Sequence, residues 1–452
     1  MKKKATIIFL LLALLSKAQL FTGAGGPILN NGQDTFFKLV VSGLSPSQLN
    51  SNFGIEEVCI EINHPVNEEL YIYLKSPDGK IVELSQGSSS KGANYTSTCF
   101  DSKLSNSITM GNPPYSGSYS PTGYLGRFNN GQTGNGTWSL IVHDYLAFVN
   151  SGSLNNWSIK FGNSPSAPVA FTSSNLPIVI IKTNNQIISA DEIVIDMGII
   201  DNGPGLRNFV TNVWNNYNGK AVINLRGVTS KNFEKKSYSL ETHDLSGNPI
   251  DASLLNMPAE SDWVLIASYT DKTLIRNPIT YDLFRKMGHY SSRFRNVEVI
   301  LNGEYIGVYT LMEKPKRGKD RIDISKLTPT ENSDSEITGG YILKIDRPDE
   351  PGWYSLLPGN SQNKSHFYYE YIYPKDTAIS IPQKSYIKNF MNDFETLMNS
   401  SNYANPVNGY SKYLDVESFI DYFIITELNK NVDGYRLSTY LYKDNIKAGG
   451  KL

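Results

Sequence analysis

The sequence has 452 residues, with 42 Lys and Arg against 43 Asp and Glu for a formal charge of -1, and 40% of its residues are apolar. That length leaves room for roughly two or three domains with cores of their own, and the balanced charge supplies no field that would draw the chain to nucleic acid or anionic lipid. The 28 Tyr and 36 Gly, together with many Asn and Ser, match short exposed strands broken by turns.

The chain opens with Lys2, Lys3 and Lys4, an apolar stretch over residues 5–15, and Ser16, Lys17 and Ala18 as a small-residue exit. These are the three parts of a secretory signal peptide, with cleavage expected after Ala18. An uncleaved signal anchor is the alternative. The stretch is shorter than the roughly 20 residues that a membrane span needs, and no second such run follows. The mature protein is therefore expected to be secreted or held at the cell surface, without a transmembrane segment.

Residues 55–62, 70–74, 80–84, 138–142 and 154–161 alternate apolar and polar side chains, and turn clusters at 76–79 (SPDG) and 130–136 (NGQTGNG) separate them. This pattern predicts an all-β antiparallel sandwich or jelly roll over residues 19–162. Both cysteines of the chain, Cys59 and Cys99, lie in it. In an oxidising compartment they pair plausibly as a disulfide closing a loop of about 40 residues, with two buried thiols as the alternative. Only His64 lies near them, with no ligand cluster apparent around it, so metal binding is not expected there. Trp138 and Trp157 occupy alternating strand positions, which favours core packing over a carbohydrate-stacking platform. Asp78 and Asp144 are candidates for a calcium site.

The segments LYIYLKSPDG (70–79), GTWSLIVHD (136–144) and GSLNNWSIKF (152–161) resemble, in order and spacing, the P domain (P/Homo B type) of subtilisin-like proprotein convertases. In that family the P domain is a jelly roll that stabilises a neighbouring protease, and the Ser/His/Asp triad belongs to the protease. A serine endopeptidase label is not expected to hold here. The chain has only five histidines and no Gly-x-Ser-x-Gly or other nucleophile setting with a paired His and Asp.

A Pro/Ser-rich stretch follows, and residues 163–176 are read as a linker. Beyond it, from residue 177 to 452, strand-like runs at 178–182, 220–225, 263–268, 295–301, 307–312 and 340–345 are joined by helical patterns at 278–287, 383–398 and 416–429. The prediction is an α+β domain, strands first and helices later, in the order of a kinase.

Five ordered blocks, RGVTSKNFEKKSYSL (226–240), WVLIASYTDKTLIRN (263–277), VEVILNGEYIGVYTLME (297–313), GGYILKID (339–346) and ELNKNVDGY (427–435), are similar to the CotH family. That family is named for a spore-coat protein and regarded as atypical protein kinases. The resemblance implies a bacterial enzyme using ATP and Mg2+ on Ser or Thr of secreted or envelope proteins. Phosphoryl transfer needs a cation on the phosphates, a carboxylate for the substrate hydroxyl and oxygen ligands for magnesium.

Lys236, in a strand-like run after a turn, suits the first role, with Lys235 facing the opposite side; two solvated lysines are the alternative. Arg226 either reaches phosphate or fixes the turn. Glu313 either contacts the nucleotide or the phosphate-binding lysine, or forms a surface pair with Lys314 or Lys316. Asp433 is the candidate catalytic carboxylate, in a polar loop after an apolar helix, with Gly434 letting backbone approach a ligand; a turn-capping Asp is the alternative.

Ser438 stands five residues beyond Asp433, where conventional kinases place a magnesium-binding Asn, and is a poorer ligand. The family's metal-binding Asp, in a Trp-Asp-Phe-Asp-like segment some twenty residues beyond the catalytic one, would fall past Leu452. Because KAGGKL (447–452) reads as a turn entering a strand, the kinase domain is expected to be incomplete at its C-terminus and inactive as it stands. The rival readings are a non-catalytic surface or matrix protein that keeps a kinase-like fold, and an accessory to a separate subtilisin-like protease.

Overall fold

The computed structural model describes residues 18–86, 92–146, 148–184, 186–233, 235–358 and 366–452. The segment expected to be a signal peptide lies outside them, apart from Ala18. The chain divides after Phe171 into two compact units. Strands make up 38% and helices 14% of the structure, so it is mostly β with several sheets.

The first unit contains nine strands among its described residues: β1 (Gln19–Pro27), β2 (Asp34–Val41), β3 (Gly54–Asn63), β4 (Leu70–Lys75), β5 (Ile81–Gln86), β6 (Tyr95–Phe100), β7 (Tyr115–Tyr119), β8 (Gly136–Asp144) and β9 (Ser153–Gly162). They form one sheet in the order β1-β9-β3-β6-β7 and another in the order β2-β8-β4-β5. Strict alternation on β4 turns Leu70, Ile72 and Leu74 inward. They share one core with Trp138 and Leu140 of β8 and with Val58, Trp157 and Ile159 of the other sheet. Each such aliphatic side chain stabilises the fold by about 1.5–3 kcal/mol on burial. Trp138 and Trp157 are fully buried, so neither offers a face to a sugar.

Cys59 and Cys99 stand opposite each other in the β3–β6 ladder and are joined by a disulfide. The calcium pairing does not form. Asp144 lies opposite Leu70 at the start of β4, whereas Asp78 lies in the turn beyond its end, bonded to Ser76 and Lys80.

The linker is divided between the units. Ser166 is tied to the first unit through Asn129 Nδ2, 2.8 Å from its carbonyl, whereas β10 (Ser173–Ser174) already pairs within the second unit.

The second unit continues with β11 (Ile178–Lys182), β12 (Ile193–Ile200), β13 (Asn208–Phe209), β14 (Tyr217–Arg226), β15 (Ser237–His243), β16 (Asp262–Ile266), α1 (Arg276–Lys286), β17 (Phe294–Leu301) and β18 (Glu304–Glu313). Seven of these strands close a barrel in the order β11-β12-β14-β15-β16-β18-β17, the parallel pairing of β11 with β17 making the seam. Trp263, Tyr238, Tyr309 and Leu311 belong to its core. There follow β19 (Tyr341–Ile345), β20 (Gly352–Pro358), β21 (His366–Tyr373), α2 (Ile381–Met398), α3 (Val416–Leu428) and β22 (Thr439–Lys443).

These last strands form a four-stranded sheet, β20-β21-β19-β22, whose core includes Ile387 and Met391 of α2. Helix α2 starts where Ser380 and Gln383 form a capping box. The three helices found among the described residues agree with the sequence pattern, but strands run on among them to Lys443. The strands-then-helices order is therefore replaced by a barrel followed by a mixed sheet-and-helix part.

Candidate functional site

The turn between β14 and β15 carries the two lysines of the sequence motif, and β15 begins only at Ser237, so both precede the strand. Without strand alternation to direct them, they take separate partners. Lys236 Nζ donates to the Lys231 carbonyl at 2.7 Å. Lys235 Nζ donates to the Val308 carbonyl and sits 4.5 Å from the centre of the Tyr309 ring. Burial there pulls its pKa down to about 8, against the opposing influence of Glu298. The lysine that the barrel perturbs is Lys235.

Glu313 ends β18 with its side chain fully buried. Its carboxylate takes Arg293 Nη1 at 3.0 Å and the Arg293 backbone N–H at 2.9 Å, with Arg321 Nε 3.9 Å away. Lys314 and Lys316 turn instead to Asp262 and Glu260. The expected surface pair with Lys314 or Lys316 is thus corrected. Glu313 is instead a buried member of an arginine-held network. The hairpin register sets this, because Phe294 pairs with Met312 and so brings Arg293 beside Glu313.

A second group of charges gathers on the later sheet. Lys344 of β19 has Glu370 of β21 and Tyr440 of β22 as its cross-strand neighbours. Lys344 Nζ lies 2.5 Å from Asp346 Oδ2 and 3.1 Å from Glu370 Oε2. Burial pushes the Asp346 carboxyl up, but the Lys344 ammonium, the Arg347 N–H and the Ser438 hydroxyl together hold it below the ordinary range. Glu370 shifts the other way, raised chiefly by burial and further by Asp346 and Glu350, with Lys344 opposing. Two carboxylates sharing one ammonium thus part in acidity.

Arg226, at the end of β14, joins this group. Tyr440 is raised first by burial, with Lys344 and Arg226 opposing and Asp346 and Glu370 reinforcing. Tyr281 of α1 responds in the same way, raised by its burial and lowered by Arg226. The Arg226 charge thus lowers both phenols against their burial.

Asp433 stands in the loop between α3 and β22. Its side chain is 55% exposed, and Oδ1 lies 2.9 Å from Arg436 Nη2. Around it Lys430, Tyr435 and Ser438 take positive φ values of 49°, 71° and 52°, a concentration of left-handed non-glycine residues of the kind found at functional loops. Gly434 lies against α3, where a Cβ would come within 2.4 Å of Thr426 Cγ2. Its close approach is to the helix. Ser438 Oγ donates to Asp346 Oδ2 at 3.3 Å and so ties the Asp433 loop to the Lys344 rung. Lys344, Glu370 and Tyr440 escaped the sequence reading, since only the register across three strands shows that they meet.

The family described as CotH kinase protein matches residues 223–450, half of the 452-residue chain. The chain belongs to the CotH kinase protein family. The proprotein convertase P-domain matches residues 56–161, within the first unit. No curated protein matches the chain. Among solved structures, the serine protease of Aeromonas sobria is similar at 16% identity, both alone (TM-score 0.17) and in complex with its chaperone (TM-score 0.18). Each alignment covers 32% of this chain and 27% of the protease chain.

The CotH kinase domain thus brings Lys344 together with the oxygen donors Asp346 and Ser438 and the adjoining Asp433 loop, with the charge of Arg226 acting on Tyr440 of the same rung. Its kinase-like, nucleotide-using character follows from the family, and these side chains are of the types that phosphates and a hard divalent cation take.

Proposed function

We propose that the protein is an exported atypical protein kinase of the CotH type. It uses ATP and magnesium to phosphorylate Ser or Thr of secreted or envelope proteins, with a jelly-roll P domain as accessory module. The observation that carries this reading is the junction of Ser438 and Asp346. It joins the Asp433 loop to the Lys344 rung, beside Arg226, inside the matched domain.

In this reading Arg226 and Lys344 neutralise phosphate oxygens, and Lys236 adds a further cation from the turn. Asp433 orients the substrate hydroxyl and accepts its proton. Asp346 and Ser438 are the oxygen donors that would hold magnesium. When bound, the ion supplies charge neutralisation across the transferring phosphates. The capping-box helix and the buried Glu313 network support the domain and take no part in the chemistry.

A second reading, a non-catalytic surface protein that binds nucleotide, is favoured by two observations. Asp433 Oδ1 is engaged by Arg436, and Ser replaces the usual metal-binding Asn at position 438.

The test is magnesium-dependent transfer of labelled phosphate from ATP, into the chain itself and into a Ser/Thr-rich acceptor. The unaltered protein is compared with Asp433→Ala, Arg226→Ala and Lys236→Ala. Loss of the general base is expected to lower the rate about 100- to 10,000-fold, and each cation variant is expected to weaken nucleotide binding. Equal incorporation by all four proteins overturns the kinase reading, whereas nucleotide binding without transfer establishes the second.

A further inference from the structure

The CotH chemistry leaves unused a buried cluster in the first unit. His64 follows β3, Glu69 precedes β4 and Asp144 ends β8, so three separate segments bring them together. All three are buried, and one ligand atom from each lies within 4.8 Å of the other two. The sequence reading saw no partners for His64, because Asp144 stands 80 positions away and joins it only through the pairing of β4 with β8.

The side chains are held in place from behind. His64 Nδ1 lies 2.8 Å from the Val66 carbonyl and 3.2 Å from the Val66 N–H. The shorter contact is attractive only if Nδ1 carries the ring proton, which leaves Nε2 with a free lone pair. That lone pair faces Asp144 Oδ2 at 3.4 Å, with both side chains fully buried. Neither atom has a hydrogen-bond partner. The other Asp144 oxygen accepts from the Leu146 N–H at 3.3 Å. Both Glu69 oxygens accept from Asn150 Nδ2, at 2.8 and 3.0 Å. Gly152 lies against the imidazole, where a Cβ would come within 2.3 Å of His64 Cδ2.

Two buried carboxylates beside a single imidazole leave negative charge uncompensated even when the ring offsets one of them, which is costly in a low-dielectric interior. Among the described residues no lysine or arginine pairs with either carboxylate. A divalent cation between them brings the charge to zero and gives both orphaned atoms a partner. We propose that His64, Glu69 and Asp144 form a structural site for a divalent transition-metal cation of the zinc class.

Imidazole nitrogen as a ligand favours that class over calcium, which takes oxygen ligands alone. Zinc bonds of about 2.0–2.2 Å in a tetrahedral site place ligand atoms roughly 3.3–3.6 Å apart; His64 Nε2 and Asp144 Oδ2 already stand at 3.4 Å, and metal binding draws in the remainder of a cluster that lies within 4.8 Å. The backbone bond at His64 Nδ1 and the Asn150 amide on Glu69 are the outer contacts that orient metal ligands. The site joins the ends of β3, β4 and β8, and so pins one sheet to the other opposite the SPDG turn.

The test uses the whole chain, dialysed against a chelator and titrated with zinc ion alone. Metal content is read by atomic emission and affinity by calorimetry, with far-UV circular dichroism as the folding control. One zinc per chain is expected, lost in His64→Ala and in the near-isosteric Asp144→Asn. Asn150→Ala, which removes an outer contact only, is expected to bind zinc about 10- to 100-fold more weakly. Absence of zinc from the folded unaltered chain, unchanged stoichiometry in either folded ligand variant, or uptake of calcium in preference to zinc overturns the proposal. If both ligand variants fail to fold, Asn150→Ala decides, and an unchanged affinity there overturns it.

Discussion

The P-domain unit and the CotH unit solve the problem of a β-rich interior differently. In the first, a single apolar core takes side chains from both sheets, and the Cys59–Cys99 disulfide sets a covalent tie across one of them. In the second, the barrel and the later sheet have separate apolar cores, and buried charge lies around them: Glu313 with Arg293 and Arg321, the Lys344 rung, and Lys443. An apolar core adds stability with little directional demand, whereas a buried ionic group is tolerated only in one geometry. The CotH unit therefore gives up some stability for defined placement of charge, and its candidate site is part of that arrangement.

The largest expected effects set one unit against the other. Trp157→Ala empties a fully buried site of the sandwich and is expected to destabilise that unit by about 3–5 kcal/mol. Glu313→Ala leaves Arg321 buried without its carboxylate and is expected to destabilise the other by about 3–5 kcal/mol. Differential scanning calorimetry checks both. If the units are energetically distinct, each variant moves a different transition. A Glu313→Ala protein as stable as the parent would show that the charged network contributes nothing to the barrel.

The same contrast explains what could be read from the sequence. Alternating runs at 55–62, 70–74 and 154–161 fall on β3, β4 and β9, and the three helical patterns fall within two residues of α1, α2 and α3. Short-range periodicity carries that information. Strands β6 and β7 escaped because Ser, Thr and Gly fill them and little more than Tyr95, Phe100, Tyr115 and Tyr119 marks the buried face. In β21, HFYYEYIY, aromatic residues at almost every position erase the alternation.

Site residues divide in the same way. The Asp433 loop was legible from the helix before it and the strand after it. The partners of Glu313, Lys344 and His64 were not, because each depends on strand register between distant segments. Charge placed for function is thus the part of this chain that local pattern describes least.

The smallest effect concerns the most buried lysine of the CotH unit. Lys443 of β22 is 1% exposed, and its ammonium donates to the Thr338 carbonyl. It faces the rings of Phe390 at 4.8 Å and Tyr386 at 5.3 Å. Burial pulls its pKa down to about 8, only partly opposed by Asp444. In the unfolded chain a lysine titrates near 10.4, so between about pH 8 and 10.4 the unfolded state binds more protons. Stability from this group therefore rises with pH through that window, and the penalty for burying the charge is fully present below pH 8. Lys443→Met keeps the apolar stem and removes the charge. It is expected to stabilise the unit by about 1 kcal/mol at pH 7, with the advantage over the parent falling, and changing sign, as the pH approaches 10. Lys235, shifted in the same direction, is common to both proteins and cancels in the difference, as do the tyrosines. Urea denaturation at pH 7, 8.5 and 9.5 measures it. A difference that stays constant with pH would mean that Lys443 is not held as a desolvated cation, and the contrast between the two units would then rest on the Glu313 network and the Lys344 rung.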